Sequence, residues 1–369
     1  MKEIVFACPW GTDKKLSWSG THYALYCALA EYYQLVDFNT SCNKIDSVDV
    51  LLYRILKKGL ELLGIDSYDM ELLKYSIVER KAKKLKYEKQ TTIFQFDASP
   101  LSESRKSYIY IDMYYGFLKE LYMHNKAIFE KSNFNNVSYK KILERTKYQD
   151  DFFANCKGIF TMGRWIAEEL VNQYGIPVEK VHHVGGGCNV NPQLIKKYKK
   201  YNNKILFIGR EFERKNGWLT IEAFRKVREV KPEAELYIAG TEGLNLNEKG
   251  IYELGDLSEE ELSYYLNICD IFCMPSKFEA YGLVFGEALI YGLPCIGLSA
   301  YEMPYFIEDG VNGYLLQHED SGELMFKMID LLENEKIKNN VQKNHKHYLQ
   351  KYSWKSVAKN IYDVIERDY

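Results

Sequence analysis

Residues 271–298 read IFCMPSKFEAYGLVFGEALIYGLPCIGL, and this stretch decides the fold. Its opening apolar run, at 270–275, predicts a buried strand. A helix is predicted from about Leu283 to Tyr291, where Gly292 ends it, and the apolar run at 293–298 predicts the next strand. A strand, a helix and a second strand in this order are typical of a parallel sheet that is covered by helices.

The same alternation extends through the C-terminal half. Ser258 and Glu261 form a capping box, which predicts a helix that continues to about Cys269. The other predicted elements here are strands at 204–209, 234–240 and near 251–254, and a helix at 216–230. The C-terminal half is therefore predicted to be a doubly wound α/β domain.

The N-terminal half alternates less cleanly but predicts a sheet of the same kind. Its predicted strands are 4–8, 91–96, 108–111 and 181–184, and its helices are 21–33, 50–63, 68–88, 138–154 and 164–174. A chain of 369 residues exceeds what one hydrophobic core usually serves. We predict two Rossmann-like domains, 1–187 and 188–352, with the boundary at the glycines 185–187 and a last helix at about 353–369.

Composition excludes several classes of function. The net charge of -2 provides no bulk attraction for a polyanion, so nucleic acid is not expected as a partner. Eight cysteines without a CxxC pair predict buried free thiols in a reducing compartment. The opening MKEIVFACPWG predicts a first strand instead of a signal peptide, and no apolar run is long enough to cross a membrane. These features predict a cytoplasmic protein.

Charged residues follow the first predicted strand of the C-terminal half. Gly209 and Arg210 end this strand, and Lys215 precedes the next helix. A second turn, Gly240 to Gly243, ends the neighbouring strand. Ligands of open α/β sheets bind at the carboxyl ends of strands, so these residues are candidates for a diphosphate site. Fixed cations there would stabilise the charge that grows on a leaving phosphate.

Two glutamates flank the start of the helix near 283. Glu279 lies in the loop ahead of it and is placed to accept hydrogen bonds from sugar hydroxyls, whereas Glu287 lies one turn inside and is placed to hold a ribose. The free N–H groups at a helix start favour a diphosphate, and a glycine lets the backbone approach it closely. The residues that lead into this helix are Ala280, Tyr281, Gly282 and Leu283.

The sequence contains no Asp-x-Asp, the usual carboxylate pair that holds a metal on a sugar nucleotide. With two cations in the metal's role, we expect neither a metal nor a cofactor.

These motifs together resemble a known family. Gly209-Arg210 with Lys215, the spacing of Glu279 and Glu287, and the later Gly292-Leu293-Pro294 and GVNGY (310–314) are similar to the retaining glycosyltransferases of the GT-B fold, family 4, also called glycosyl transferases group 1. The resemblance covers roughly 180–365. It implies two Rossmann-like domains that face each other across a cleft, with the last helix crossing back to the N-terminal domain.

The resemblance also implies roles for single residues. The residue matching Glu279 contacts the donor sugar, the one matching Glu287 contacts the ribose, and those matching Arg210 and Lys215 contact the diphosphate. No residue stands out as a nucleophile, so the resemblance favours departure and attack on the same face of the sugar. The N-terminal domain is then expected to bind a glycan or lipid-linked acceptor, and the C-terminal domain a nucleoside diphosphate sugar, with UDP the commonest nucleotide.

In the N-terminal half the resemblance rests on fewer residues. Ser19-Gly20-Thr21 is similar to the family's glycine loop, with one glycine where the family often has two. Asp112, after a predicted strand, stands where the family often places a histidine near the donor sugar. A turn or helix cap is the alternative interpretation of Asp112, and also of Asp97.

Other functions stay open at this point. A sugar-nucleotide epimerase or a glycan phosphorylase on the same fold is one alternative, and a catalytically inactive nucleotide-sugar binder is another. The basic stretch RKAKKLKYEK at 80–89 is typical of a solvated helix face, but it could also hold the protein on an anionic membrane at the inner face of the cell.

Overall fold

The chain folds into two α/β units, each with its own parallel sheet. The computed structural model describes residues 1–42, 47–62, 69–83, 91–96, 106–132, 134–196 and 202–367. The first unit comprises Met1–His124, Asn136–Gly187 and Trp354–Tyr369, and the second comprises Asn125–Asn135 and Cys188–Ser353. The main chain thus passes from the first unit to the second after Gly187. The short segment 125–135 belongs to the second unit although it lies within the N-terminal half of the sequence.

The elements follow one another in an alternating order. The strands are β1 (Glu3–Cys8), β2 (Gln34–Asn39), β3 (Thr92–Gln95), β4 (Ser107–Ile111), β5 (Gly158–Thr161), β6 (Val181–His183), β7 (Lys204–Ile208), β8 (Glu235–Ala239), β9 (Ile251–Gly255), β10 (Ile271–Cys273), β11 (Cys295–Leu298) and β12 (Gly313–Leu316). The helices are α1 (Thr21–Leu29), α2 (Val48–Leu62), α3 (Asp69–Lys83), α4 (Tyr115–His124), α5 (Lys126–Glu130), α6 (Tyr139–Asn155), α7 (Arg164–Asn172), α8 (Gly217–Val230), α9 (Glu259–Ile268), α10 (Leu283–Ile290), α11 (Met303–Phe306), α12 (Ser321–Glu333), α13 (Glu335–Lys343), α14 (His345–Lys351) and α15 (Trp354–Arg367).

The sheet of the first unit has the order β2-β1-β3-β4-β5-β6 over its described strands, all of them parallel. Its centre is aromatic, because Phe94 stacks on Phe6 at 5.6 Å and on Phe160 at 6.0 Å between ring centroids. Helix α15 packs against α1, and Tyr33 donates a hydrogen bond of 3.2 Å to Glu366. The last helix of the chain is therefore part of the first unit's core.

The sheet of the second unit has the order β12-β11-β10-β7-β8-β9, also parallel. Counted from β7 as the first strand, this is the order 3-2-1-4-5-6 of the dinucleotide-binding fold. The two sheets confirm the predicted α/β class with doubly wound domains. The order reverses between β7 and β10, and a ligand of such a sheet binds where the order reverses.

Local signals placed several elements well. The predicted capping box is present, since Ser258 accepts from the Glu261 N–H at 3.2 Å and Glu261 accepts from the Ser258 N–H at 2.9 Å. The sequence analysis did not predict β2, β5 or β12, nor the helices α4, α5 and α11 to α14. All eight cysteines are free thiols, and all except Cys27 are buried.

The expectations about a membrane-spanning helix and about the basic stretch 80–89 are compared here with the described residues. In that part of the chain, no helix has both the length and the apolar character needed to cross a bilayer. Of the basic stretch 80–89, residues 84–89 lie outside the described residues, and so does Asp97. Among the described cations, Arg80 pairs with Asp49 at 3.4 Å and Lys83 pairs with Glu79 at 2.7 Å.

Candidate functional site

Two loops of the second unit meet where the strand order reverses. The first follows β7 and leads into α8, and the second follows β10 and leads into α10. A backbone hydrogen bond of 2.9 Å, from the Lys277 N–H to the Arg214 carbonyl, joins the two loops. Side chains from both strand ends are thereby brought to one place.

Three charged side chains at this place form what we name the buried charge cluster: Arg214, Lys215 and Glu279. Their side chains are only 9%, 11% and 13% exposed. The Lys215 ammonium donates to Glu279 Oε2, and Arg214 Nη1 donates to the same oxygen at 3.1 Å. Arg214 Nη1 also donates to the Phe278 carbonyl at 2.6 Å, which fixes the loop that carries Glu279.

The balance of charge in the cluster is positive, because two cations share one buried carboxylate. Burial by itself would raise the pKa of Glu279, but the Lys215 and Arg214 charges outweigh it and hold that pKa below its ordinary value. Burial lowers the pKa of Lys215, and Glu279 opposes the change. Outside the cluster, Glu211 also accepts from Arg214 but is 43% exposed. An anion that displaced Glu279 from Lys215 would find a preformed cationic site.

Glycine is needed at the end of β7 for the cluster to form. A Cβ atom at Gly209 would lie 2.8 Å from Cγ of Lys215, a distance that real Cβ atoms essentially never show. The lysine side chain therefore lies directly over the glycine backbone. Asn216, with a φ of 61°, then turns the chain into α8.

The start of α10 is open to a ligand. Gly282 has a φ of 93° and offers no side-chain cap. In the described structure the N–H groups of Leu283 and Val284 have no hydrogen-bond acceptor, and both residues are partly exposed. A Cβ at Gly282 would lie 3.1 Å from Cγ of Glu279, so the helix start and the buried charge cluster are in contact. Free N–H groups beside two cations suit a diphosphate.

Glu287 lies one turn inside α10. Burial raises the pKa of its carboxyl from 4.5 to about 7. Its side chain is partly exposed, and within the described residues it makes no hydrogen bond or ion pair. The Cys188 thiol lies against α10, where it donates to the Leu283 carbonyl at 3.5 Å. Burial first and the Glu287 charge second raise the pKa of that thiol. Glu287 is thus a carboxylate whose hydrogen-bonding capacity is unused.

The other predicted residues of the second unit lie at the edge of this arrangement. Arg210 is 80% exposed and pairs with Asp256 at 3.1 Å, so it is not part of the buried charge cluster. Gly240 ends β8 with a φ of 82°. Tyr281 is buried with its ring 5.1 Å from that of Phe306, so only its backbone can face a ligand. Ala280 is partly exposed.

Arg214 is the residue that the sequence analysis missed. It lies beside Lys215 in the charged stretch GREFERKNG, where the sequence does not distinguish a buried charged side chain from an exposed one. The one available signal is the spacing of Glu211 and Arg214, three residues apart, which suits a pair within a turn.

The predicted residues of the N-terminal half, Gly20 and Asp112, belong to the first unit. Gly20 has a φ of 83° and begins α1, after Trp18 and Ser19 with φ of 48° and 55°. Asp112 directly follows β4 and is partly buried. Burial first and the Asp112 charge second raise the pKa of Tyr110. The structure places neither Gly20 nor Asp112 in the unit that holds the buried charge cluster.

Aromatic rings fill the carboxyl edge of the first sheet, and we name this group the aromatic edge: Trp18, His22, Phe96 and Tyr110. The rings of His22 and Phe96 are 4.3 Å apart, and Trp18 lies 5.1 Å from His22. Burial lowers the pKa of His22 to about 4, so the imidazole is neutral at physiological pH. Its Nδ1 shares a hydrogen bond of 3.0 Å with the Ser17 hydroxyl. The four rings of the aromatic edge are uncharged, whereas the side chains of the buried charge cluster are charged, and Asp112 lies at the same edge of the first sheet.

Among the described residues, no three His, Cys, Asp or Glu side chains are grouped so that they could hold a metal ion.

Sequence comparison relates the second unit to a family. Residues 191–348 match the model for glycosyl transferases group 1. The chain is 26% identical over 197 residues to a phosphatidyl-myo-inositol mannosyltransferase of Mycobacterium leprae, covering 50% of this chain and 52% of that protein. Two other curated relatives are covered over 32% and 40% of their length. The chain thus spans about half or less of these relatives.

Structural comparison extends over both units. The crystal structure of WaaG, a glycosyltransferase involved in lipopolysaccharide biosynthesis, superposes with a TM-score of 0.66 at 14% identity, covering 98% of this chain and 99% of that one. The pneumococcal O-GlcNAc transferase GtfA in complex with UDP and GlcNAc superposes with a TM-score of 0.58 at 17% identity, covering 80% and 60%. At these identities the likeness shows the fold, which is that of GT-B glycosyltransferases.

Proposed function

We propose that this chain, whose residues 191–348 match the model for glycosyl transferases group 1, moves a sugar from a nucleoside diphosphate sugar to a glycan or lipid-linked acceptor, with retention and without a metal. The proposed donor nucleotide is UDP, the nucleotide named with GtfA. The proposed donor site is the second unit, and the proposed acceptor site is the first.

The single observation that carries this proposal is the buried charge cluster beside the open start of α10. Arg214 and Lys215 together place two cations beside the buried carboxylate of Glu279, with the more exposed Glu211 as a second partner of Arg214, next to free backbone N–H groups. This combination suits the two phosphates of a nucleoside diphosphate, whose charge grows as the bond to the sugar breaks. Charges that are fixed in a buried site stabilise the negative charge growing on the phosphate, because they do not have to move during the reaction.

The proposed reaction is a substitution on one face of the sugar. The bond between the anomeric carbon and the phosphate oxygen breaks, and its electron pair stays on the leaving diphosphate. The acceptor hydroxyl then attacks the same face of the carbon, and its proton passes to the phosphate oxygen that has just departed. Among the charged side chains, Lys215 is proposed to stabilise the departing phosphate most, because its ammonium is buried and is already held in place by Glu279.

The two glutamates are proposed to hold different parts of the donor. Glu279, ionised and held by two cations, would accept hydrogen bonds from sugar hydroxyls once the diphosphate engages Lys215. Glu287, with no partner in the described structure, would accept from the ribose hydroxyls. Arg210 at the neighbouring strand end is kept as a second diphosphate contact, which requires it to leave Asp256.

In the first unit, Gly20 and Asp112 are kept as candidates for contacts to the donor sugar. Asp112 follows β4 at the carboxyl edge of the sheet, where Trp18, the partly exposed member of the aromatic edge, is proposed to stack on a sugar ring. Asp112→Asn is expected to lower kcat while leaving the affinity for UDP unchanged. An unchanged kcat would remove Asp112 from the site.

The test of the proposed function is an incubation of the protein with a panel of nucleoside diphosphate sugars, with and without EDTA. We expect one donor to raise the melting temperature and to be slowly hydrolysed, with EDTA making no difference. Lys215→Ala should abolish the hydrolysis, whereas Lys226→Ala, on the exposed face of α8, should keep it. No response to any donor would contradict the proposal, and activity that EDTA abolishes and Mg²⁺ restores would contradict its metal-free part.

A further inference from the structure

Four tyrosine rings form a connected group on one face of the second sheet, and we name it the tyrosine platform: Tyr237, Tyr252, Tyr264 and Tyr265. Tyr237 of β8 lies opposite Tyr252 of the neighbouring strand β9, and their rings stack at 5.0 Å. Tyr265 of α9 lies 5.2 Å from Tyr237, and Tyr264 lies 5.2 Å from Tyr265. Tyr252 and Tyr264 are 42% and 53% exposed, so the platform reaches solvent.

An ion pair beside the platform holds two of the rings in place. Lys204 Nζ pairs with Glu235 Oε2 at 2.8 Å and donates to the Tyr237 hydroxyl at 3.0 Å. The Tyr237 hydroxyl donates to Glu235 at 2.7 Å, and the Tyr252 hydroxyl donates to the same carboxylate at 3.3 Å. The Lys204 ammonium also lies 5.2 Å from the centroid of the Tyr237 ring. The platform therefore contains its own cation, and the carboxylate beside it is already neutralised.

The tyrosine platform and the buried charge cluster lie at opposite ends of the strands. Lys204 and Glu235 are the first residues of β7 and β8, and Tyr252 is the second residue of β9, the last strand at one edge of the described sheet. The buried charge cluster instead belongs to the loops that follow β7 and β10. The platform is therefore a second surface, which the proposed sugar transfer does not use.

Carboxylates border the platform on α9. Glu259, Glu260 and Glu261 occupy the first turn of this helix and are exposed. Glu260 and Glu261 precede Tyr264 by four and three residues, a spacing that brings side chains to one side of a helix. Negative charge at this place opposes nucleic acid, anionic lipid and anionic glycans. It also opposes a second copy of the chain, which would bring the same carboxylates together.

We propose that the tyrosine platform binds a neutral glycan chain. The face of an aromatic ring carries partial negative charge and attracts the C–H groups on the flat side of a pyranose ring. Tyr252 offers the ring face that is turned away from Tyr237. At the margin, Lys204 and Glu235 are 22% and 28% exposed, so they can donate to and accept from sugar hydroxyls.

The size of the platform also favours a glycan over a folded protein. A stable protein interface buries about 800 Å² per partner, far more than four tyrosine side chains of which one is buried can supply. Two exposed rings with polar groups at their margin are enough to contact a chain of sugars. This inference is independent of the proposed sugar transfer.

The experiment is binding of the full chain to an array of immobilised neutral and uronic acid-containing oligosaccharides. We expect binding to at least one neutral oligosaccharide and weaker binding to the anionic ones. Tyr252→Ala with Tyr264→Ala should lower the affinity by about tenfold or more, because both exposed rings are removed. The matched control, Tyr148→Ala with Phe326→Ala, removes two exposed rings elsewhere and should bind as the wild type does.

Two single variants keep the test valid if the double variant fails to fold. Tyr252→Phe keeps the ring and should bind within about twofold of the wild type, whereas Tyr264→Ala removes a ring that is 53% exposed and should lower the affinity by about threefold without changing the melting temperature. Hydrolysis of the nucleoside diphosphate sugar should be unchanged in all these variants. Loss of glycan binding and loss of donor hydrolysis are thus separate results.

Three results would overturn the proposal. The first is failure of the wild type to bind any neutral oligosaccharide of the array. The second is equal binding by the wild type and by a folded variant with Tyr252→Ala and Tyr264→Ala. The third is a dimer in ultracentrifugation that this variant abolishes, without glycan binding, which would assign the platform to a second copy of the chain.

Discussion

The carboxyl edges of the two sheets share a doubly wound architecture but differ in chemistry. In the second unit, the buried charge cluster places two cations and a carboxylate at the reversal of strand order. In the first unit, the aromatic edge holds rings and a neutral histidine. The side chains at the strand ends therefore differ where the backbone arrangement is the same. The proposed diphosphate site depends on the charge in the second unit, and the proposed sugar contact in the first unit depends on Asp112 and the partly exposed Trp18.

The largest effect on turnover is expected from replacing Lys215, the cation of the buried charge cluster that is proposed to contact the diphosphate. Lys215→Ala should lower kcat by about a hundredfold or more, corresponding to about 3 kcal/mol of lost transition-state stabilisation, with a smaller effect on donor binding. Arg210→Ala should act in the same direction but less, because Arg210 is exposed and paired with Asp256. Steady-state kinetics with Lys226→Ala as control tests this, and unchanged turnover in the Lys215 variant would remove it from the site.

The second effect concerns the stability of the cluster itself. Arg214→Ala should lower the free energy of unfolding by about 2 to 3 kcal/mol, because the Phe278 carbonyl and Glu279 lose a buried donor. Arg225→Ala removes an arginine from an exposed pair with Glu248 and should cost less than about 1 kcal/mol. Urea unfolding of both variants measures the difference. An equal loss of unfolding free energy in the two variants would mean that the burial of Arg214 contributes nothing to stability.

The third effect separates the two glutamates. Glu279→Gln should lower kcat by about tenfold while UDP binds nearly as before, because the sugar ring changes charge in the transition state. Glu287→Gln should raise the donor KM by about tenfold with kcat nearly unchanged, because ribose contacts change little. Kinetics together with calorimetric titration of UDP tests both variants. The opposite division of effects would mean that the two roles are exchanged.

The smallest effect is a dependence of stability on pH. The pKa of Glu287 rises from 4.5 to about 7 on folding, so between these values the folded chain keeps a proton that the unfolded chain has released. The contribution of Glu287 to stability is therefore fully present below the lower value and is lost as pH rises through the upper value. Urea midpoints across this window should fall less in Glu287→Gln than in the wild type. An identical decline in both would contradict the shift.

The second unit was the more predictable from sequence, for physical reasons. Its strands are short apolar runs that end at glycine, as β7 does at Gly209, and its helix α9 begins at a capping residue, Ser258. The strand β2 was missed because it is an edge strand with polar residues and little burial, which leaves no periodic signal. The packing of Asn125–Asn135 with the second unit also left no trace, since that contact is between residues far apart in sequence.

Within the candidate site, sequence identified the residue types but not their environment. Lys215 and Glu279 were expected at neighbouring strand ends, and the structure brings them into direct contact. Arg210 and Arg214 have the same charge and nearly the same position in the chain, yet one is 80% and the other 9% exposed. That difference arises from the fold of the loop after β10, which supplies the Phe278 carbonyl, and no local pattern encodes it.

We propose that the second unit holds the nucleoside diphosphate at the buried charge cluster and the start of α10, and hydrogen–deuterium exchange of the full chain with and without UDP locates the bound nucleotide. UDP should slow exchange in peptides covering 209–217 and 276–290 and leave exchange unchanged in peptides covering 17–29, around the aromatic edge. Protection of 17–29 with none at 209–217 or 276–290 would contradict it.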